Sequence, residues 1–154
     1  MILNRWSLML FFGLMPQAGS IAPPSDDGLT AVEREQLRKE QKIDNRIKIY
    51  DNASTRLLKT LEGAVLKEDF QSAPATLKAW TTLLTMSLND IDQNESRKKK
   101  SKNLIRYEIH LRKAISDVQG FKIRAPADQE NTFDSWLNKA EEIRKKLVDI
   151  LFPG

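Results

Sequence analysis

Oily side chains recur once per helical turn in four successive stretches of this chain, and that spacing leaves little choice of fold. Ile43, Ile47, Tyr50, Ser54, Leu57, Leu61 and Ala64 step by four, three, four, three, four and three residues, the interval that lines one face of an α-helix. Leu77, Trp80, Leu84, Leu88 and Ile91 form a second stripe, and Leu104, Tyr107, Leu111, Ala114, Ile115 and Val118 a third. The fourth is the cleanest: Phe133, Trp136, Leu137, Ala140, Ile143, Leu147 and Ile150. A helix with one apolar face buries it against other helices. No run of period two between turn dipeptides competes with this pattern, and no repeat of fixed period is visible. The expected fold is therefore all-α, an antiparallel helical bundle of three long or four shorter helices with a long heptad-like first helix.

Local signals set the expected boundaries. Thr30 followed by Glu33 has capping-box spacing, in which hydroxyl and carboxylate reciprocally satisfy free amides at a helix start. No Pro or Gly follows until Gly63, so the first helix is predicted over roughly 30–68. Its opening turns, AVEREQLRKEQK, are nearly all polar, so that end should meet solvent or a polar partner. The stretch KEDFQSAP breaks the pattern, and Pro74 suits the first turn of the next helix. Residues 92–103 are polar yet contain no Gly or Pro. On one continuous rod the stripes centred on Leu84 and Leu111 would point in nearly opposite directions. Such a rod would pack the first helix on one side and the fourth on the other, with Glu33 and Glu40 set opposite the cations that follow residue 96. A break near 93–101 would instead give four segments of similar length, and the sequence leaves both arrangements open.

The N-terminal MILNRWSLMLFFGLMPQAGS has the parts of a secretory signal: Arg5, an apolar run from Trp6 to Met15, and a Pro-then-small tail. Cleavage is expected after Ser20, leaving a flexible leader over 21–29 and a single helical domain over 30–152. The apolar run is shorter than the ~20 residues a spanning helix needs, so no transmembrane anchor is expected after cleavage. Export places the protein in the periplasm or outside the cell. Cysteine is absent, which removes disulfides, thiol ligands and thiol nucleophiles and leaves helix packing as the source of stability.

Charge is segregated. Residues 97–124 hold ten Lys or Arg against Glu108 and Asp117, whereas the rest of the chain from residue 21 holds fourteen Lys or Arg against nineteen acids. On a helix Lys99, Lys102, Arg106, His110 and Lys113 line up as one cationic strip away from the Leu104 to Val118 stripe. Charged strips are usually the wet side of a helix, partly neutralised by neighbours. The sharper reading is an electrostatic dock for an anionic surface: lipid headgroups, an envelope polymer or an acidic protein. Nucleic acid is the weakest candidate and is not expected as a partner, because no aromatics interleave the cations for base stacking and an exported protein seldom meets it.

Chemistry-bearing constellations are missing from the sequence, so no catalytic, cofactor-binding or metal-ligating residue is assigned. His110 is the only histidine, which forbids a two-histidine metal site within one chain, and any Ser-His-Asp relay would have to use this strip residue. Asp26 with Asp27 and Glu141 with Glu142 are adjacent in sequence, which does not aim both carboxylates at one substrate. Asn52-Ala53-Ser54 and Asn94-Glu95-Ser96 match the glycosylation acceptor pattern, a three-residue match that arises often by chance. Trp80 and Trp136 sit on apolar stripes and are expected in the core.

The strings KKKSKNLIRYEIHLRKAISDVQGFK and DSWLNKAEEIRKKLVDILF resemble small exported helical proteins of soil bacteria. That resemblance implies an envelope location and no activity. The expected protein is thus a non-enzymatic helical bundle without cofactor, acting through protein–protein contacts or structurally. The alternative is a polyanion or membrane-surface binder using the strip at 97–113. Its partner would be a protein or an anionic envelope component, and the heptad-like spacing of the first helix also allows self-association.

Overall fold

The computed structural model describes residues 25–95 and 101–154. The export signal expected over 1–20 and the leader up to residue 24 lie outside the described residues. Five helices follow in order: α1 (Ala31–Lys39), α2 (Ile43–Leu66), α3 (Ala73–Asn94), α4 (Lys102–Arg124) and α5 (Glu130–Leu151), the last preceded by a 3-10 turn over Ala127–Gln129. Among the described residues there is no strand.

Helices α2 to α5 form the bundle, and each of the four apolar stripes faces one interior. Trp80, Trp136, Tyr50, Tyr107 and Phe133 are its largest fully buried side chains. The indoles of Trp80 and Trp136 meet with ring centroids 4.3 Å apart, tying α3 to α5. Ser54, a polar member of the first stripe, accepts the Trp80 indole N–H at 2.8 Å. That bond explains a hydroxyl on an otherwise oily face, since a buried indole N–H needs a partner.

Packing is antiparallel within the hairpins α2/α3 and α4/α5, which lie side by side. Asp44 pairs with Asn103 and Asp51 with His110, so α2 and α4 run in the same direction. Helices α3 and α5 do likewise. The two stripes that would have opposed each other on a single rod therefore turn to the same core. Helix α3 stops at Asn94, where Glu95 is extended (φ −75°, ψ 133°), and α4 starts after the extended N-cap Ser101 (φ −80°, ψ 126°). Of the two arrangements the sequence left open, the four-helix one is found.

The helix predicted over 30–68 is two helices. It breaks at residues 40–42 without Gly or Pro, because α1 folds back antiparallel along α2. Arg46 holds the break open: its Nη1 donates to the carbonyls of Leu37 at 2.6 Å and Glu40 at 3.1 Å, while its Nε donates to Asp90 of α3 at 2.7 Å. The guanidinium thus supplies donors to carbonyls that a continuous helix would have satisfied internally. Leu37 is buried by the fold-back, and the α1 capping box at Thr30 and Glu33 forms as expected. Glu33 pairs with Arg56 of α2 at 2.7 Å and Glu40 accepts from the Lys42 amide at 3.0 Å. Neither faces the cations of α4.

The leader differs from expectation at its end. Ser25 to Leu29 form an ordered turn, with the Gly28 amide donating to the Ser25 carbonyl at 2.9 Å and Leu29 buried in the core. Gly28 is required there on two counts. Its φ of +73° is left-handed, and a Cβ would stand 2.8 Å from Leu57 Cδ1 and 3.2 Å from the Ala79 carbonyl oxygen.

Candidate functional site: the two faces of helix α4

Helix α4 carries the part of the cationic strip that the structure describes. Lys99 lies outside the described residues; Lys102, Arg106, His110 and Lys113 all stand on this helix. Ser101 caps its start by accepting from the Leu104 amide at 3.1 Å. No acid occupies the first turn, so Lys102 adds its charge to the positive end of the helix dipole instead of opposing it.

The structure divides the strip. On the flank toward α2, Asp44, Asp51 and Glu62 form an acidic edge. Asp44 takes hydrogen bonds from Asn103 at 2.8 Å and from the Ser101 hydroxyl. Asp51, only 5% exposed, holds His110 Nδ1 at 2.8 and 2.9 Å from its two oxygens. Lys113 bonds Asp117 one turn along at 2.8 Å. That bond, reinforced more weakly by Glu62, raises the ammonium pKa.

The flank toward α5 is neutralised as well. Glu108 is buried between Arg112 at 3.3 Å and Arg144 at 3.2 Å, and Arg144 also meets Glu141 at 3.0 Å. Lys122 meets Asp134 at 2.6 Å and Glu130 at 3.7 Å. A buried carboxylate needs this double support. What remains unpaired faces outward: Lys102, Arg106 and, at the far end, Arg124 are exposed and make no ion pair among the described residues.

His110 is the one described residue on which relay chemistry is conceivable. It borders a groove of about 250 Å³ between α2 and α4, lined by Ser54, Thr55, Leu58, Lys59, Glu62 and Lys113 among others. A His and an Asp are thus brought together, and a serine lines the same depression. The Ser54 hydroxyl oxygen, however, accepts from the Trp80 indole, and among the described residues no hydrogen bond joins it to His110. A nucleophile needs its base within hydrogen-bond reach. The arrangement fixes a histidine in place; it does not assemble a relay. Among the described residues no group of three His, Asp or Glu side chains is placed to hold a metal ion, and no helix is long and apolar enough to cross a membrane.

Sequence reasoning missed the Asp51–His110 and Glu108–Arg144 pairs, whose partners lie 59 and 36 residues apart. One signal was available. Asp51 and Glu108 each follow a stripe tyrosine, Tyr50 and Tyr107, and a residue one place off a buried stripe sits at its edge, where a charge requires a partner. No protein-family model matches the chain, and comparison with curated proteins and with solved structures gives no significant match.

Proposed function

We propose that this chain is an exported binding protein without catalytic role, which docks on an anionic partner in the cell envelope through the outward face of α4. One observation carries the reading. The cations on both flanks of α4 that meet neighbouring helices are held by carboxylates, whereas Lys102 and Arg106 at its positive end have none among the described residues. A fold satisfied by its own ion pairs has no need of further charge there, and Lys102 works against the helix dipole. The acidic excess outside 97–124 gives the molecule a charge asymmetry that would orient it during encounter. Support for export is the signal-like N-terminus, with its cation, apolar run and small-residue tail.

Retention on a heparin column, read as the salt concentration that elutes the protein, tests the docking face. Lys102→Glu with Arg106→Glu should elute at markedly lower salt than the parent, because surface electrostatics weaken as salt screens them. Melting temperature should equal the parent's or rise by a few degrees, since both side chains are exposed and Glu at position 102 favours the helix dipole that Lys opposes. Co-elution of variant and parent would remove the reading.

A further inference from the structure

We infer that the anionic partner is a lipid bilayer, and that α4 lies flat on it with Ile109 and Ile123 dipping below the headgroups. The inference rests on the proposed docking face and adds the apolar half of that surface. Ile109 is 46% exposed and Ile123 86% exposed, both on the helix that carries the cations unpaired among the described residues. At 100° per residue, with Leu104, Leu111 and Val118 defining the inward direction, Lys102, Arg106, Lys113 and Arg124 fall within roughly 40° of straight outward. Ile109 and Ile123 lie roughly 20° and 60° to one side of the same ridge. At 1.5 Å per residue the isoleucines are about 21 Å apart, and the outer cations Lys102 and Arg124 about 33 Å. One edge of the molecule therefore presents two greasy side chains between cations at both ends.

This layout selects lipid over a soluble polyanion or an acidic protein surface. A charged polymer engages the cations and leaves the isoleucines in water, whereas a bilayer takes cations at its headgroups and aliphatic side chains just beneath. Lys and Arg suit the position because their methylene stems lie along apolar surface while the charge stays in the headgroup layer. Among the acids near the ridge, Asp117 is engaged by Lys113 and Glu141 by Arg144, while Glu130 and Asp134 share Lys122. None of the described helices can span a bilayer, so for this surface attachment is peripheral, with the bundle intact above the membrane.

The absence of cysteine makes a site-specific test clean. Single cysteines are introduced in the full chain as Ile123→Cys on the ridge and, separately, Lys78→Cys on the exposed surface of α3, and each carries an environment-sensitive fluorophore. Vesicles of phosphatidylcholine alone are compared with vesicles that also contain phosphatidylglycerol. The position-123 label should shift to an apolar spectrum only with phosphatidylglycerol present, and the position-78 label should not shift. Reading at the ridge keeps the result independent of any lipid affinity of residues 1–20. Removing one membrane-facing cation lowers partition about fivefold, so adding Lys102→Glu and Arg106→Glu should raise the lipid needed for half the shift more than tenfold. Ile109→Gln should raise it severalfold while leaving heparin elution unchanged.

A position-123 label that stays in water, or labels that shift equally at both positions, would overturn the lipid assignment. So would a lipid requirement unmoved by Ile109→Gln. If heparin elution still responds to the charge reversals, the docking reading survives that failure; if it does not, both fall.

Discussion

Two residues show how far single side chains are bound by their surroundings here. Ser54 stands where the spacing calls for an apolar side chain, and its hydroxyl is consumed by Trp80; the Trp136 indole N–H, also buried, has no partner among the described residues. Glu68 is the opposite case, a residue whose identity its own backbone does not favour. It has φ +54°, the only positive φ outside glycine among the described residues. Around it the Asp69 amide bonds the Ala64 carbonyl at 2.9 Å and the Glu68 amide bonds the Val65 carbonyl at 3.1 Å, the paired bonds of a Schellman ending to α2. That left-handed position suits glycine, and a residue with a Cβ costs roughly 1 kcal/mol there. Glu68 is exposed and makes no ion pair among the described residues, so nothing offsets the cost. Glu68→Gly should therefore stabilise the protein by about 1 kcal/mol and raise its melting temperature by about 3 to 5 °C. A lower melting point would mean that the turn tolerates its glutamate better than this geometry allows.

Elements were legible from the sequence where their cause was local and hidden where it was tertiary. The four stripes, the Thr30–Glu33 capping box and Pro74 near the start of α3 all act within a few residues of themselves, and each is found as read. The break between α1 and α2 could not be read, since its cause is one guanidinium reaching from α2 to two carbonyls behind it and to Asp90 on another helix. Leu29 was hidden for the same reason: a single leucine after IAPPSDDG carries no periodicity, and its burial depends on where α2 and α3 lie. The proposed docking face was half legible. The strip itself could be drawn on a helical wheel, but which cations are used up inside the protein depended on Asp51, Asp117 and Glu108, whose roles only packing assigns.

Helix α1 has nine residues, too few to persist alone, so it should depend on this clasp. Arg46→Ala strands two carbonyls and leaves Asp90 without its cation, though Tyr50 and Asn94 still donate to it, a loss of about 2 kcal/mol. Hydrogen exchange would locate the loss. Amides of residues 31–39 should speed up well beyond those of α4 and α5, and uniform acceleration along the chain would contradict the clasp.

At the scale of the whole molecule, a chain without disulfides is held by an oily interior in which polar contacts fix how the helices register. Tyr107 on α4 meets Ser87 on α3 at 2.6 Å across the centre of the bundle, and Tyr50 on α2 donates to Asp90 on α3 at 2.5 Å. Both phenols share a consequence for the three helices they join, α2, α3 and α4. Burial pushes the Tyr107 pKa far above its ordinary 10.0, and burial together with the Asp90 carboxylate does the same for Tyr50. In the unfolded chain both ionise near pH 10, while in the folded protein both stay protonated. A folded-state pKa raised above the unfolded one means stability is intact below pH 10 and drains away as pH rises beyond it, because only the unfolded chain releases protons there. Lys113 and Lys122, whose pKa values are raised by Asp117 and Asp134, lose their ion pairs in the same direction. The tyrosines' share can be isolated. The double variant Tyr50→Phe with Tyr107→Phe should be less stable than the parent at neutral pH, having lost two hydrogen bonds, yet should fall less steeply between about pH 10 and 12. Denaturant melts across that range would show the curves converging; curves that stay parallel would mean the two hydroxyls are not kept protonated by the fold.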